Sequence, residues 1–392
     1  MTDTTGMTDE AETPRRSPLH DEHVALGAAL TPFAGWQMPL RYTGDLAEHQ
    51  AVRTAAGLFD LSHMGEIEID GPQAAAALDH ALVGNLTALA VGRARYTMIC
   101  EESGGVIDDL VVYRLADERY MIVANASNVG VVVPALRERF AGFDVTLTDA
   151  SLTTALIAVQ GPAAEAIVVS VTEPRDVGAV KDLKYYASTN ATVSEVPALV
   201  ARTGYTGEDG FELFVPAELA PALWRDLLAA GAPSGLVPAG LSARDSLRLE
   251  AGMPLYGNEL DRTTTPYDAG LGRVVRLDKT GPDGAPVAFV GRAALEARHQ
   301  SEPARVLVGL QGLGRRAARH GYPVLGGTAH DAPHVGHVTS GAPSPTLGYP
   351  VAMAYVTPEV SAVGTELAVD VRGRQEPVRV VALPFYRRAD KG

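Results

Sequence analysis

The stretch Val106-Ile-Asp-Asp-Leu-Val-Val-Tyr-Arg-Leu115, followed after Ala116-Asp117-Glu118 by Arg119-Tyr-Met-Ile-Val-Ala-Asn125, decides how this chain is read. Both halves are apolar and rich in β-branched residues, and a short polar break separates them, so the pair predicts a β-hairpin. Two carboxylates sit inside the first strand, where burial is costly unless they are hydrogen-bonded or used. Side chains alternate along a strand, so Val106, Asp108, Leu110 and Val112 share one face, and Ile107, Asp109, Val111 and Tyr113 share the other. A turn centred on Asp117 places Leu115 opposite Arg119, Tyr113 opposite Met121 and Asp109 opposite Asn125, with cross-strand partners about 5 Å apart. Asp109, Asn125 and Tyr113 then line one polar patch on an apolar surface, whereas a one-residue slip selects Asp108 instead.

Working outward, 65–70 (GEIEID) alternates as a half-buried strand, 73–83 and 129–140 read as helices, and 143–147 reads as a strand. Towards the N-terminus, Leu19, His23, Leu26 and Leu30 have helical spacing, and Thr31-Pro32 is expected to stop that helix. Beyond the hairpin, 154–160 (TALIAVQ) predicts a strand leading through Gly161-Pro162 into a helix. Strands at 198–202 and 211–215 flank a loop at 203–210, and helices follow at 218–230 and 241–251. The segment 281–286 (GPDGAP) has the composition of an inter-domain connection. From Arg305 onward short strands alternate with turns, which predicts a small all-β domain. Helices and strands mix without a steady βαβ rhythm, so the fold class is α+β.

The chain has 392 residues, enough for two or three domains, with 33 Lys+Arg against 47 Asp+Glu for a net charge of −14. That balance excludes a general nucleic-acid binder, which needs a basic face. The one cysteine, Cys100, allows neither an intrachain disulfide nor a zinc spacing. No apolar run is long enough to span a membrane. Residues 1–16 are polar and acidic and read as a disordered leader without an apolar signal region. These features predict a soluble, cytoplasmic enzyme.

His20-Asp21-Glu22-His23 carries ligand-type residues but no third ligand, so a solvated first helical turn is the expected reading. Gly312-x-Gly314-x-x-Ala317 resembles a dinucleotide fingerprint, yet Gly321 and Pro323 cut short the helix it needs, so a loop is expected. Neither a metal nor a nucleotide is therefore anticipated.

A second chemical feature is Arg202-Thr-Gly-Tyr-Thr-Gly-Glu-Asp-Gly-Phe-Glu212. Its glycines let the backbone approach something closely. Glu212 opens an apolar strand, where a carboxylate suits a ligand edge with two adjacent N–H donors, as in pterin-like rings. In the helix at 241–251, Arg244 and Arg248 share a face, either to pair with Asp245 or Glu250 or to meet an anionic ligand.

Taken together, FAGWQMPL (33–40), AVRTAAGLFDLSHMGE (51–66), GGVIDDLVVY (104–113), ALIAVQGP (155–162), RTGYTGEDGFE (202–212), GLSARDSLRLEAGMPLYG (240–257), TSGAPSPTLGYPVAMAYV (339–356) and PFYRR (384–388) resemble the aminomethyltransferase (T protein) family of the glycine cleavage system. The resemblance runs over nearly the whole chain. It implies a three-domain fold around a central folate channel, ending in a small β-barrel domain. The expected division is a leader at 1–16, a discontinuous folate-binding domain at 17–67 plus 150–280, a second domain at 68–149, and the barrel at 281–390. It also implies transfer of a one-carbon unit from the aminomethyl-lipoyl arm of the carrier H protein to tetrahydrofolate, alongside the P and L proteins of the same system. Asp109 matches the catalytic carboxylate. Met64, Tyr96, Tyr113 and Asn125 match its pocket, Glu212 and Tyr205 the pterin edge, Tyr185 and Arg244 further folate contacts, and Arg387 the contact to the folate tail.

Two relatives of the same fold are the alternatives. Folate-dependent demethylating domains carry a flavin domain on the same chain, and none is expected here. Iron–sulfur assembly factors carry a cysteine motif that the YTMIC segment around Cys100 lacks. Arg315, Arg316 and Arg319 form the basic cluster expected to meet an acidic carrier protein.

Overall fold

A computed structural model describes residues 13–281 and 284–389. The hairpin forms the centre of a five-stranded antiparallel sheet in the order Ala94–Cys100, Val106–Ala116, Arg119–Ala124, Gly65–Asp70, Thr146–Asp149. Tyr113 faces Met121 and Val111 faces Val123, the register expected from the turn. At the turn itself a bulge brings Ala116, not Leu115, opposite Arg119. A second bulge pairs Cys100 with Val106 and Ile99 with Asp108, leaving Ile107 unmatched. An extra residue reverses the inward–outward alternation. Upstream of Asp108 the faces are therefore swapped: Ile107 joins Leu110 and Val112 in the core, while Val106 packs with Met98 and Cys100.

Helices Ala74–Ala81 and Val129–Arg139 cover one face of this sheet through Ala77, Leu78, Val132 and Leu136. The other face packs on a six-stranded sheet ordered Ser188–Val193, Val196–Ala201, Gly210–Pro216, Thr154–Gln160, Ala56–Asp60, Leu236–Pro238. Phe59, Leu156 and Phe214 of the second sheet meet Tyr113, Met121 and Val123 of the first. Helices Ala164–Ser170 and Ala220–Gly231 back the second sheet, with Trp224 fully buried. Six strands between Val306 and Val381 close into a barrel, which docks through Val351 and Met353 on Leu249 of the helix Leu241–Glu250. The chain is α+β with a C-terminal barrel. Gly65–Asp70 lies wholly in the first sheet, and helix Arg292–His299 packs through Leu295 against Cys100 and Val106.

Near the N-terminus the structure departs from the pattern reading. The helix covers only His20–Ala25, Gly27 takes a positive φ of 72°, and Leu30 and Thr31-Pro32 fall in the strand Ala29–Phe33. That strand is at the edge of its three-stranded sheet, where proline is tolerated. The first helical turn is only half solvated: Asp21 is exposed, but both histidines are buried. His23 is fully buried, its Nε2 2.8 Å from Asp60 and its Nδ1 2.9 Å from the Tyr42 hydroxyl. Ser17 also donates to Asp60, so the segment before the helix is tied to the second sheet. Of the expected leader, residues 1–12 lie outside the described residues, and Arg15–Arg16 pairs as a short strand with Trp36 and Gln37. The strand expected at 143–147 occupies Thr146–Asp149.

Candidate functional site

The face of the five-stranded sheet that meets the second sheet is organised in rows by its register. One row holds Met98 and Asp109, a second holds Tyr96, Val111, Val123 and Glu66, and a third holds Ala94, Tyr113, Met121 and Glu68. Asn125 and Met64 follow directly after and before the last paired residues of their strands, Ala124 and Gly65, at the Asp109 end. The polar residues of this face converge. Tyr96 donates its hydroxyl to Asp109 Oδ2 at 2.9 Å, and Asn125 donates Nδ2–H to Asp109 Oδ1 at 2.8 Å. Asp109, Tyr96, Asn125 and Met64 each retain partial exposure, so they line a cleft rather than fill a core. Burial holds the Asp109 carboxyl above its ordinary range, opposed by the hydrogen bonds from Tyr96 and Asn125.

Glu212 stands on the opposite wall, in the strand Gly210–Pro216 beside Ala158 and Ala201. Tyr113 joins the two walls. It is fully buried, so it supports the pocket rather than lining it. Its hydroxyl is 3.0 Å from Thr203 Oγ1 and donates to Glu212 Oε2 at 3.4 Å, and Thr203 donates to the same oxygen. Burial raises the Glu212 carboxyl, with Thr203 and the Arg244 charge opposing.

The glycines of the 203–210 loop admit Gln160. A Cβ on Gly204 would lie 2.1 Å from Gln160 Oε1, and one on Gly210 2.2 Å from its Nε2. Gln160 then donates to the Thr203 carbonyl and accepts from Thr206, which pins the loop. Tyr205 is thereby presented to the cleft, its hydroxyl donating to the Pro254 carbonyl and its ring 4.7 Å beneath the Arg244 guanidinium.

The two arginines of the helix Leu241–Glu250 divide their tasks. Arg248 is consumed by Asp245 at 2.8 Å and Glu259 at 3.1 Å, whereas Arg244 makes no salt bridge among the described residues. Arg244 thus keeps its charge uncommitted to any carboxylate among the described residues, stacked on Tyr205. Glu250 pairs instead with His49 and Arg53. Tyr185 is at the rim, 49% exposed, with its ring centroid 4.9 Å from that of Tyr186 in an edge-to-face contact. Arg387 is exposed in the C-terminal segment, between Tyr386 under Arg53 and Arg388 at 3.5 Å from Asp209.

The profile of the GCVT N-terminal domain matches residues 19–279, and that of the glycine cleavage T-protein C-terminal barrel domain matches 305–387. The chain belongs to this family. An aminomethyltransferase of Streptomyces coelicolor is 60% identical over 378 residues, covering 95% of this chain and 98% of that protein. Another, from Saccharopolyspora erythraea, is 58% identical over 96% of this chain and 99% of its own length. A crystal structure of the glycine cleavage system aminomethyltransferase T from Bartonella henselae aligns with a TM-score of 0.85 at 36% identity, over 95% of this chain and 98% of that one. The chain is thus an aminomethyltransferase of the glycine cleavage T-protein family.

Within that frame, three residues of the site escape a reading of the sequence. Tyr186 adopts a left-handed φ of 58°, which costs a non-glycine residue about 1–2 kcal/mol. Its backbone holds it there, donating N–H to Arg202 O at 3.0 Å and accepting from Ala94 N at 2.9 Å, one bond to each sheet. Its partly buried ring faces both Glu212 and Asp109, whose charges raise its phenol further than burial alone. His63 is buried with Nδ1 unpartnered, and burial together with Arg244 pushes it down to about 4. Glu66 is fully buried with neither carboxyl oxygen partnered, and burial raises it well above the carboxylate range. No group of three or more His, Cys, Asp or Glu among the described residues is arranged to hold a metal, and no described helix is long and apolar enough to cross a membrane.

Proposed function

We propose that the cleft between Asp109 and Glu212 is where tetrahydrofolate accepts the one-carbon unit carried as an S-aminomethyl adduct on a lipoylated carrier protein. The observation that carries this reading is Asp109: a half-buried carboxylate, fixed on both oxygens by neutral donors, facing a wall that offers a second carboxylate and an unpaired arginine. Asp109 itself has no cationic partner among the described residues, and the reaction supplies one.

In the transfer, the carbon leaves sulfur and ammonia and gains two bonds to folate nitrogens. Of the two protons those nitrogens lose, one ends on the dihydrolipoyl sulfur and the other on the departing ammonia. The carbon passes through an iminium-like cation. A pre-positioned carboxylate in a water-poor cleft stabilises such charge without reorganising, and it orients the attacking amine. Tyr96 and Asn125 hold Asp109 in place. Glu212 accepts from the N–H donors of the pterin edge. Tyr205, Tyr185 and Met64 contact the ring, Tyr113 braces Glu212, and Arg244 and Arg387 meet the anionic portions of the folate. In the four-part division expected from the resemblance, we take this cleft to lie between the first two folded units.

The carrier is the H protein, with the P and L proteins completing the cycle in the cytoplasm. Its docking surface is the loop after Val306–Gly312. There Arg316 is paired with Glu376 at 2.8 Å and Arg319 donates to Gly341 O at 2.8 Å, so Arg315 is the exposed cation of the cluster least committed to the fold. Arg315→Glu should raise the apparent KM for the carrier while leaving the KM for folate unchanged. An unchanged carrier KM removes this surface.

The test of the reaction is ammonia release from an aminomethyl-lipoyl carrier, with and without tetrahydrofolate. Folate-dependent release with formation of 5,10-methylenetetrahydrofolate supports the reading. Folate binding without any folate-dependent release contradicts it.

A further inference from the structure

Asp108 is the neighbour of Asp109 and points to the opposite side of the strand, where it is completely buried. It meets only neutral donors. Asn125 donates its backbone N–H to Oδ2 at 3.0 Å and Nδ2–H to Oδ1 at 2.8 Å, and Asn128 donates Nδ2–H to Oδ1 at 2.6 Å. The Asn125 amide that grips Asp108 also reaches Asp109 Oδ1 at 2.8 Å and Asp109 O at 3.1 Å. One amide group has two hydrogens, and here it spans three oxygens of two adjacent aspartates. Neither aspartate has a salt-bridge partner among the described residues.

We propose that Asp108 is a positioning residue for the transfer: acting through Asn125, it sets both the place and the charge of the carboxylate that Asp109 presents to the cleft. This rests on the reading of Asp109 given above. The geometry alone supplies the positioning, because Asn125 is clamped at its backbone and its side chain by Asp108 before it touches Asp109. The charge follows from proximity. Two carboxyls this close, with no cation between them, do not both ionise freely. Both carboxyls take hydrogen bonds on both oxygens, but Asp109 retains partial exposure while Asp108 is completely buried, so Asp109 ionises first. Asp108, buried and beside that charge, keeps its proton up to about 7.

The other titratable groups facing this pair are Tyr96, Tyr186, Tyr205 and Glu259 near Asp109, and Tyr256 near Asp108, itself held by Arg262. Neither Tyr96 nor Tyr256 is shifted towards neutrality, since burial raises both phenols. Loss of the Asp108 proton therefore puts a second negative charge behind the cationic carbon, and transfer accelerates as pH rises through that point.

The experiment is single-turnover transfer between pH 5.5 and 8.5 with wild type and Asp108→Asn, using an aminomethyl-lipoyl carrier and saturating tetrahydrofolate. Thermal melting and folate Kd are measured on the same samples. The ratio of wild-type to variant rate is expected to rise about tenfold across this range, as one pH unit of coupling predicts. Folate Kd should stay within about threefold, since Asp108 does not line the cleft. Asn128 touches Asp108 and not Asp109, so Asn128→Ala serves if Asp108→Asn does not fold. Removing that donor should move the inflection to higher pH. A rate ratio that is flat with pH, or an inflection unmoved in Asn128→Ala, overturns the proposal and leaves Asp108 as a brace for the Asn125–Asn128 turn. Absence of folate-dependent release in the wild type would instead overturn the parent reading, so the two failures are distinguishable.

Discussion

Glu250 and Asp109 are both carboxyls withdrawn from bulk water, and the fold treats them in opposite ways. Glu250 ends the helix that carries the barrel. It accepts from His49 Nε2 at 3.1 Å, from Arg53 Nε at 3.1 Å and its terminal nitrogen at 2.9 Å, from Ser344, and from Thr346 N at 3.1 Å and Oγ1 at 2.7 Å. These donors outweigh burial and hold it down at about 2. Asp60, gripped by His23, Ser17 and Ser62, is lowered in the same way. Asp109, Glu212 and Glu66, with Asp108 on the other side of its strand, are all raised, because burial there outweighs the hydrogen bonds and, at Glu212, the Arg244 charge that oppose it. A carboxylate saturated by the protein is a structural clamp. In the proposed reaction Asp109 and Glu212, which hold no salt bridge among the described residues, are the ones that meet the substrate.

The comparison breaks first at the clamp. Glu250→Gln leaves Arg53 with Glu208 as its remaining counter-charge and takes the carboxylate from the buried His49 and Thr346, which should cost about 3 kcal/mol in denaturant unfolding. The rate per folded molecule should remain normal. The folded carboxylate is more acidic than the unfolded one, so its contribution is complete above about pH 4.5 and is lost as pH falls towards 2. The acid-side slope of wild-type stability should flatten in the variant, as read by melts between pH 2.5 and 6.

Next in size is the cleft cation. Arg244→Ala removes a guanidinium that has no salt-bridge partner among the described residues, so stability should change little. Folate Kd should rise about ten- to a hundredfold, the range for a charge-assisted contact, as measured by titration calorimetry. An unchanged Kd with a lower melting temperature would place Arg244 among the clamps.

The smallest effect is expected at Glu66. Its folded carboxyl keeps its proton to higher pH than the unfolded one, so wild-type stability falls as pH rises above about 4.5. Glu66→Gln removes that dependence and should be more stable than wild type by about 1–2 kcal/mol at pH 8, with the difference vanishing near pH 4. Equal stabilities at both pH values would mean that Glu66 is ionised and partnered.

Much of this was legible in the sequence where short-range rules govern. Alternation and the turn at Asp117 placed Asp109 beside Asn125, because strand period and register are local. The bulges at Ile107 and at Leu115 were not readable, since each answers to a neighbouring strand rather than to its own residues. Tyr186 carries no signal beyond standing next to Tyr185; its left-handed backbone is imposed by bonds to both sheets. The Glu250 cluster joins residues as far apart as His49 and Thr346, and only the assembled barrel brings them together. His20-Asp21-Glu22-His23 misled because helical spacing says which side chains share a face and not whether that face is buried.

The most direct measurement is single-turnover ammonia release by Asp109→Asn, which keeps the shape of the side chain and removes its charge, with folate Kd determined on the same preparation. The account predicts a loss of about 10²–10³ in rate with folate affinity within a few-fold of wild type. A near-normal rate, or a rate lost only in proportion to folate binding, would contradict it.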